Sequence, residues 1–291
     1  MIKKAKKRSN SLKIPRLILY TAKLLQSISP KLLTKFAAHL FTTPIRHRIP
    51  KRELDMDAKS VQTKIFVTAI NKEIVVYTFG DAKRKVLLVH GWSGRGTQLV
   101  KIAERLTEEG FSTVSFDAPA HGKSPGSTTL MPEFIASILE IEKQFGPFEA
   151  AVGHSLGGMS LLNSVKRGLA IDRLTIIGSG DKVSDILLDF INRMQLKPNL
   201  VDRLRVHFEK GFKGETMESY SAYIAAKDVE IPVFVIHDND DDEVPVSCAI
   251  HIHEHLKNGE LLLTRGLGHR KILGDPEVIE RTIDFIKNEK S

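Results

Sequence analysis

Near its middle, this 291-residue chain contains Gly153-His154-Ser155-Leu156-Gly157-Gly158, between an apolar run at 150–152 and a helical pattern from 159 to 166. A Gly-x-Ser-x-Gly pattern between a strand and a helix predicts a sharp turn that tolerates only small residues two positions either side of the serine. Such a turn projects the Ser155 hydroxyl away from the sheet and directs the first helical N–H groups at whatever reacts there. Ser155 is therefore a candidate nucleophile; the alternative is an ordinary glycine-rich turn.

A serine hydroxyl is a weak nucleophile, so it needs a base that takes its proton and an acid that orients the base. Where this turn carries chemistry, the chain order is serine, then aspartate or glutamate, then histidine. His269 follows the serine, between an apolar run at 261–264 and a helical pattern at 276–287, and has glycines nearby at 266 and 268. His269 is the candidate base; the alternative is a loop histidine that caps the last helix.

The candidate acid lies in a run of carboxylates after the apolar segment 233–236. We choose Asp241 because it stands three residues before Val244-Pro245, where a short loop returns to the next helix. The other acidic residues of the run are interpreted as a solvated turn or as the acidic start of a helix. Three alternatives for the acid stay open: Asp240, Asp242 and, after the preceding strand, Asp181.

Acyl transfer to a serine also requires two N–H donors for the negatively charged oxygen that forms. The residue after the serine, Leu156, is expected to supply one, and the loop after an earlier strand the other. The apolar segment 85–89 runs into such a loop, in which Gly91 lets the backbone turn inward. We therefore expect the second donor to be the N–H of Trp92. The alternative, a phosphate-binding loop, lacks both the lysine-serine ending and the dinucleotide spacing.

Together these blocks resemble the α/β-hydrolase superfamily, and in particular its lipase- and esterase-like serine hydrolases. The matching blocks are, in order, His90-Gly91-Trp92, the serine turn at 153–158, Asp241 before Val244-Pro245, and His269, with a fifth at 117–124. The resemblance covers residues 65–287 and implies Ser155, Asp241 and His269 as catalytic residues, with Trp92 and Leu156 as the oxyanion hole. It implies neither a cofactor nor a metal. The crowded acidic run and a long N-terminal arm depart from the family pattern.

The apolar segments agree with an α/β fold. Two of them, 64–69 and 73–79, alternate around Asn71-Lys72 and predict a hairpin. The segments that follow alternate with helical patterns, which predicts a mostly parallel central sheet with helices on both faces and a site at the carboxyl ends of the strands. These segments lie at 86–89, 113–116, 150–152, 175–177, 233–236 and 261–264.

The alternation stops within 181–230, where apolar spacing predicts helices at 181–194 and 200–210. We expect a small helical lid insertion here, which would exclude water and shape an apolar acyl pocket. Two plain packing helices are the alternative. The predicted α/β-hydrolase domain spans 61–291 and includes this insertion.

Residues 1–60 form a basic, partly amphipathic arm. Residues 1–50 contain 12 of the 43 lysines and arginines and no Asp or Glu, so the remainder carries 31 basic against 35 acidic residues, about −4. Lys23 and Pro30 interrupt the apolar residues, so neither a membrane-spanning helix nor a secretory signal is expected. Two interpretations stay open: the arm lies on an anionic membrane surface, or its apolar face packs on the domain. Nucleic-acid binding is disfavoured because the domain is acidic.

The apolar content of 42% is enough for one large core. The single cysteine, Cys248, excludes an internal disulfide and indicates a reducing compartment, so we expect a cytoplasmic protein whose arm can contact a membrane peripherally. Cys248 is expected to be structural and away from the site. Of His251, His253 and His255, only the first and last share a helix face, so no metal site is expected.

These residues predict a serine hydrolase that cleaves a small-molecule carboxylic ester or thioester through an acyl-enzyme on Ser155. One alternative is an acyltransferase, in which an alcohol or thiol replaces water in the second step. Another is a binding protein that keeps the α/β-hydrolase fold without the chemistry. The sequence specifies neither the acyl chain length, the leaving group nor the oligomeric state.

Overall fold

The computed structural model describes residues 14–212 and 214–287, and its centre is one sheet. The strands are β1 (Val61–Val67), β2 (Lys72–Phe79), β3 (Arg84–Val89), β4 (Phe111–Asp117), β5 (Ala150–His154), β6 (Arg173–Ile177), β7 (Val233–Asp238) and β8 (Gly259–Thr264). Their order across the sheet is β1-β2-β4-β3-β5-β6-β7-β8. Strands β3 to β8 run parallel, and β2 is antiparallel to both of its neighbours. The prediction of a mostly parallel sheet is confirmed.

Helices cover both faces of this sheet. They are α1 (Arg16–Ile28), α2 (Pro30–Thr42), α3 (Leu54–Lys59), α4 (Val100–Glu108), α5 (Met131–Phe145), α6 (Leu156–Lys166), α7 (Val183–Arg193), α8 (Leu200–Glu209), α9 (Ala222–Ala226), α10 (Ser247–His255), α11 (Gly268–Lys271) and α12 (Pro276–Lys287). Successive side chains of β3 point to opposite faces: Leu87 and Val89 join one buried cluster, and Val86 and Leu88 join the other. Because the sheet has a buried core on each face, side chains that point to either face of a central strand are buried, which explains the continuous apolar runs of these strands.

The predicted hairpin is formed by β1 and β2, which pair with Lys64 opposite Val75. A short 3₁₀ turn at 68–70 joins them, and Asn71 takes up the left-handed conformation with φ +53°. Asparagine tolerates that conformation better than most residues, so the turn that alternation and Asn71 predict is present.

Between β6 and β7 the chain leaves the sheet and forms α7, α8 and α9, close to the two helices that the spacing predicts. Leu187 and Ile191 of α7 and Leu204 of α8 are buried. The aromatic ring of Phe41, at the end of α2, lies 5.2 Å from that of Phe190. The inserted helices therefore pack on the N-terminal arm as well as on the domain.

The arm itself contributes to the larger of the two cores, the one that contains Leu87 and Val89. Its buried residues there include Ala22 of α1 and Leu33 and Ala37 of α2. Ser29 caps α2 by accepting a hydrogen bond from the Leu32 N–H at 3.3 Å. One face of each arm helix thus packs on the domain, as the second interpretation of the arm expects. Within residues 14–212 and 214–287, no helix combines the length and apolar character needed to cross a bilayer.

Candidate active site

Ser155 occupies the turn between β5 and α6, with φ +53° and ψ −118°. A non-glycine residue in this region is strained, and such strain is found at functional sites. The flanking glycines have a steric reason: a Cβ on Gly153 would lie 2.7 Å from the Gly157 backbone, and one on Gly157 would lie 2.3 Å from the Val89 carbonyl oxygen. The turn therefore has the form that the sequence pattern predicts.

The side chains of His269 and Asp241 are joined by a hydrogen bond. His269 Nδ1 lies 2.7 Å from Asp241 Oδ2, and the two side chains are 7% and 1% exposed. The other carboxylate oxygen, Oδ1, accepts hydrogen bonds of 2.8 Å from the N–H groups of Glu243 and Val244. Because Nδ1 donates to the carboxylate, the free lone pair of the imidazole is on Nε2.

Asp241 remains ionised in this environment. Burial alone would raise the pKa of its carboxyl, but hydrogen bonds from His237 and His269 and from the Val244 N–H outweigh burial and hold that pKa well below its usual value. A buried carboxylate that is ionised and doubly fixed can orient an imidazole and stabilise its protonated form.

The rival carboxylates have other partners. Asp181 accepts from His251 Nδ1 at 2.6 Å and from the Tyr223 N–H at 3.0 Å. Asp240 accepts a hydrogen bond from the Gly266 N–H at 3.1 Å, and Asp242 is exposed. Of these four carboxylates, the structure joins Asp241 to His269.

Ser155 and His269 line the same cavity, whose volume is about 1410 Å³. Ser155 is part of the cavity wall, and among the described residues no hydrogen bond reaches its hydroxyl. Catalytic hydrogen bonds are often long in the unliganded state and tighten when substrate binds. Trp92 and Leu156 also line this cavity, and within the described part of the chain neither backbone N–H donates a hydrogen bond. Both N–H groups are therefore available at this wall to donate to a ligand oxygen.

The loop that carries Trp92 is fixed by two buried histidines. His90 accepts at Nε2 from the Ala118 N–H at 3.0 Å, and His121 accepts at Nε2 from the Ser93 N–H at 3.0 Å. Each histidine donates from Nδ1 to a backbone carbonyl. The blocks at 90–96 and 117–124 are therefore tied together, which holds the Trp92 backbone in place.

Three residues of the site were not singled out from the sequence. His154 donates from Nε2 to the His269 carbonyl at 3.0 Å, and its ring lies 4.6 Å from the His269 ring. His237 Nε2 lies 3.4 Å from Asp241 Oδ2. A Cβ on Gly178, which has φ +59°, would lie 3.3 Å from His269 Nδ1. Of the three, only Gly178 had a recognisable signal, since a glycine directly after a strand of a parallel sheet often marks close approach.

Cys248 lines the same cavity, which corrects the expectation that it lies away from the site. The sequence places it more than 90 residues from Ser155, and only the packing of α10 brings it close. Burial raises the pKa of its thiol to about 11, so it is a neutral thiol near pH 7.

The clustered histidines of α10 have local partners. His251 bonds to Asp181, His253 Nε2 donates to the Gly259 carbonyl at 3.2 Å, and His255 Nδ1 donates to the His251 carbonyl at 2.8 Å. Among residues 14–212 and 214–287, no group of three or more potential ligands is arranged to hold a metal ion.

We expect acid to destabilise the fold through its buried histidines. Burial lowers the pKa of His90 to about 4 and that of His121 to about 3, so both are neutral in the native state. The unfolded chain takes up these protons below about pH 6.5, so the stabilisation is complete above that pH and is lost as pH falls towards 4. For His90 alone, the free energy of unfolding should fall by about 3 kcal/mol as the pH drops from 6.5 to 4.

Urea unfolding at pH 7, 5 and 4 measures this loss. His90→Gln should be less stable at pH 7 but should lose less stability between pH 7 and 4 than the wild type. His207→Gln, at an exposed position, is the matched control and should follow the wild type. An unchanged pH slope in His90→Gln contradicts the prediction.

Comparison with known families fits this geometry. The model of the alpha/beta hydrolase family matches residues 86–281, more than half of the chain, so the protein belongs to that family. No curated protein matches the chain.

Solved structures with the same fold include enzymes of several activities. An esterase from Exiguobacterium antarcticum is 18% identical, covers 78% of this chain and 100% of its own, and has a TM-score of 0.62. A membrane phospholipase A is 17% identical, covers 94% of this chain and 97% of its own, and has a TM-score of 0.62. Proline iminopeptidase from Mycobacterium smegmatis is 16% identical, covers 78% and 97%, and has a TM-score of 0.58. Likeness at these identities establishes the fold and leaves the reaction to be argued from the site.

Proposed function

We propose that the protein is a serine hydrolase that cleaves a carboxylic ester or thioester through an acyl-enzyme on Ser155. The observation that carries the proposal is that a strained serine and the hydrogen-bonded His269–Asp241 couple line one cavity. A serine, a base and an ionised acid in this chain order are the parts that nucleophilic acyl transfer requires.

In the first step, His269 Nε2 takes the proton from Ser155 Oγ as that oxygen bonds to the acyl carbon. The carbonyl electron pair moves onto its oxygen, which the Trp92 and Leu156 N–H groups hold. His269 then protonates the leaving alcohol or thiol as its bond to the acyl carbon breaks. Water attacks the acyl-enzyme with His269 as base, which releases a carboxylic acid and restores Ser155.

The cavity favours an apolar acyl group. Side chains from the arm, from α6 and from α7 form much of its wall, and we propose α7 as the lid that excludes water. The names esterase and phospholipase among the similar structures support an ester substrate. The apolar part of the wall includes Ile18, Leu40, Phe41, Leu130, Met159, Ile186, Phe190, Met194 and Met217.

Labelling and hydrolysis test this proposal together. A fluorophosphonate should modify the wild type on the peptide that contains Ser155, and p-nitrophenyl esters from acetyl to palmitoyl should be hydrolysed. We expect a preference for medium or long chains because each further buried methylene contributes about 0.8 kcal/mol. The chain-length profile measures the usable depth of the cavity.

The outcomes separate the alternatives. Labelling without hydrolysis, together with acyl transfer to an added alcohol or thiol, would indicate an acyltransferase. Absence of both labelling and turnover at every chain length would indicate a binding protein with this fold.

The presence of a single cysteine supports a cytoplasmic location, which fractionation of the native cell tests directly.

A further inference from the structure

Helix α1 exposes an apolar stripe to solvent. Its members are Leu17, Tyr20, Leu24 and Ile28, with exposed fractions of 76%, 68%, 61% and 65%; we call these four residues the outer stripe. Spacings of three and four residues place them on one helical face. On the opposite face Ala22 is buried and Ile18 and Leu25 pack on the larger core. A surface helix that only packs on its domain has one apolar face. The exposed apolar face of α1 is therefore not explained by packing on the domain.

The surroundings of the outer stripe are cationic. Arg16, Lys23, Lys31 and Lys35 are exposed on α1 and α2, and within the described part of the chain none of them pairs with a carboxylate. Lys23 donates to the amide of Gln195, which leaves its charge in place. In sequence, residues 1–13 come two residues before α1 and add six lysines and arginines, and no Asp or Glu occurs before Glu53. The surface thus combines apolar area with uncompensated positive charge.

The same helix reaches the cavity of Ser155. Ile18 of α1 lines that cavity, as do Ile14 and Pro15 just before the helix. One side of α1 therefore touches the site while the other carries the outer stripe. Tyr20 suits a boundary between water and hydrocarbon, because its ring is apolar and its hydroxyl is polar.

We infer that α1 lies in the surface of an anionic lipid bilayer, with the outer stripe among the acyl chains and the cations against the lipid phosphates. The substrate is then a lipid ester that enters the cavity from the bilayer beside Ile14 and Ile18, a part of the inference that rests on the proposed function. A second copy of the chain is a poorer occupant, because a two-fold contact through α1 would bring the cations of both copies together.

Vesicle co-sedimentation of full-length Ser155→Ala, which binds without turnover, tests the surface. We expect binding to phosphatidylcholine–phosphatidylglycerol vesicles at least about tenfold stronger than to phosphatidylcholine alone, and weaker at high salt. Adding Leu17→Gln, Leu24→Gln and Ile28→Gln gives the outer-stripe variant, whose binding to the anionic vesicles should be weaker by about tenfold or more. The matched control carries Val61→Gln, Phe66→Gln and Leu263→Gln, exposed apolar positions on the two edge strands, and should bind unchanged.

Unchanged binding by the outer-stripe variant, or no binding to anionic vesicles, overturns the inference. A wild-type dimer in size exclusion that the outer-stripe variant converts to monomer, without vesicle binding, overturns it in favour of a second copy.

Turnover separates this inference from the proposed function. With Ser155 intact, the outer-stripe variant should hydrolyse soluble p-nitrophenyl butyrate at the wild-type rate and release fatty acid from vesicles about tenfold more slowly. Hydrolysis of the soluble ester without vesicle binding means that the surface inference alone fails. Vesicle binding without hydrolysis of any ester means that the proposed function fails and the surface stands.

Discussion

Ser155→Ala should lower kcat for ester hydrolysis by roughly 10⁴- to 10⁶-fold, because no other group can form the acyl-enzyme at that position. The serine stands at φ +53° in a turn whose glycines allow nothing larger nearby, so no neighbouring side chain can take its place. Alanine keeps the β-carbon and the strain of the turn while it removes the nucleophilic oxygen. Residual catalysis would come from binding and the oxyanion donors alone.

Steady-state kinetics on the preferred p-nitrophenyl ester measures this loss, and urea unfolding shows that the variant folds. Ser160→Ala is the matched control, since Ser160 is a buried serine of α6 whose hydroxyl donates to the Leu156 carbonyl at 2.8 Å. It should keep activity within a few-fold of the wild type. A Ser155→Ala enzyme that retains a tenth of its activity would point to another nucleophile, and Cys248→Ala would then test the thiol in the same cavity.

The strands were predictable because a buried parallel sheet requires apolar runs, but their ends were not. The run at 150–152 predicts a strand that in fact continues to His154, because Gly153 and His154 still pair with Ile176 and Ile177 of β6. Hydrophobicity reports burial of side chains, whereas a strand ends where its backbone pairing ends.

The serine turn could be predicted because steric demands fix its residue types at close spacing, and its distant partners because the order serine, acid, histidine limits where they can stand. Cys248 could not be assigned to the site, since it approaches Ser155 through packing between elements far apart in the sequence. His237 lies only four residues before Asp241, but nothing in the strand pattern marks it as a partner of that carboxylate. The arm was ambiguous for a physical reason: α1 is apolar on two opposite faces, so composition alone cannot distinguish a packed helix from a membrane-facing one.

Asp241→Asn should lower kcat/KM by roughly 10⁴-fold while leaving the fold intact. The reason lies in the two carboxylate oxygens, which have different partners. Oδ1 accepts from the Glu243 and Val244 N–H groups, so the amide oxygen of asparagine would take that position. The NH₂ group would then face His269 Nδ1, which must become the acceptor and shift its proton to Nε2. An imidazole protonated at Nε2 cannot take the Ser155 proton.

Asp240→Asn and Asp242→Asn are the controls, because they stand next to Asp241 and remove the same charge from the same loop. Asp240 accepts from the Gly266 N–H, a bond that an amide oxygen can also accept, so each control should lose less than about tenfold. The measurement is kcat/KM for one ester at pH 8 for all three variants, with fluorophosphonate labelling rates beside it. A larger loss in either control than in Asp241→Asn would assign the acid to that residue. Equal, small losses in all three would mean that His269 acts without a carboxylate from this loop.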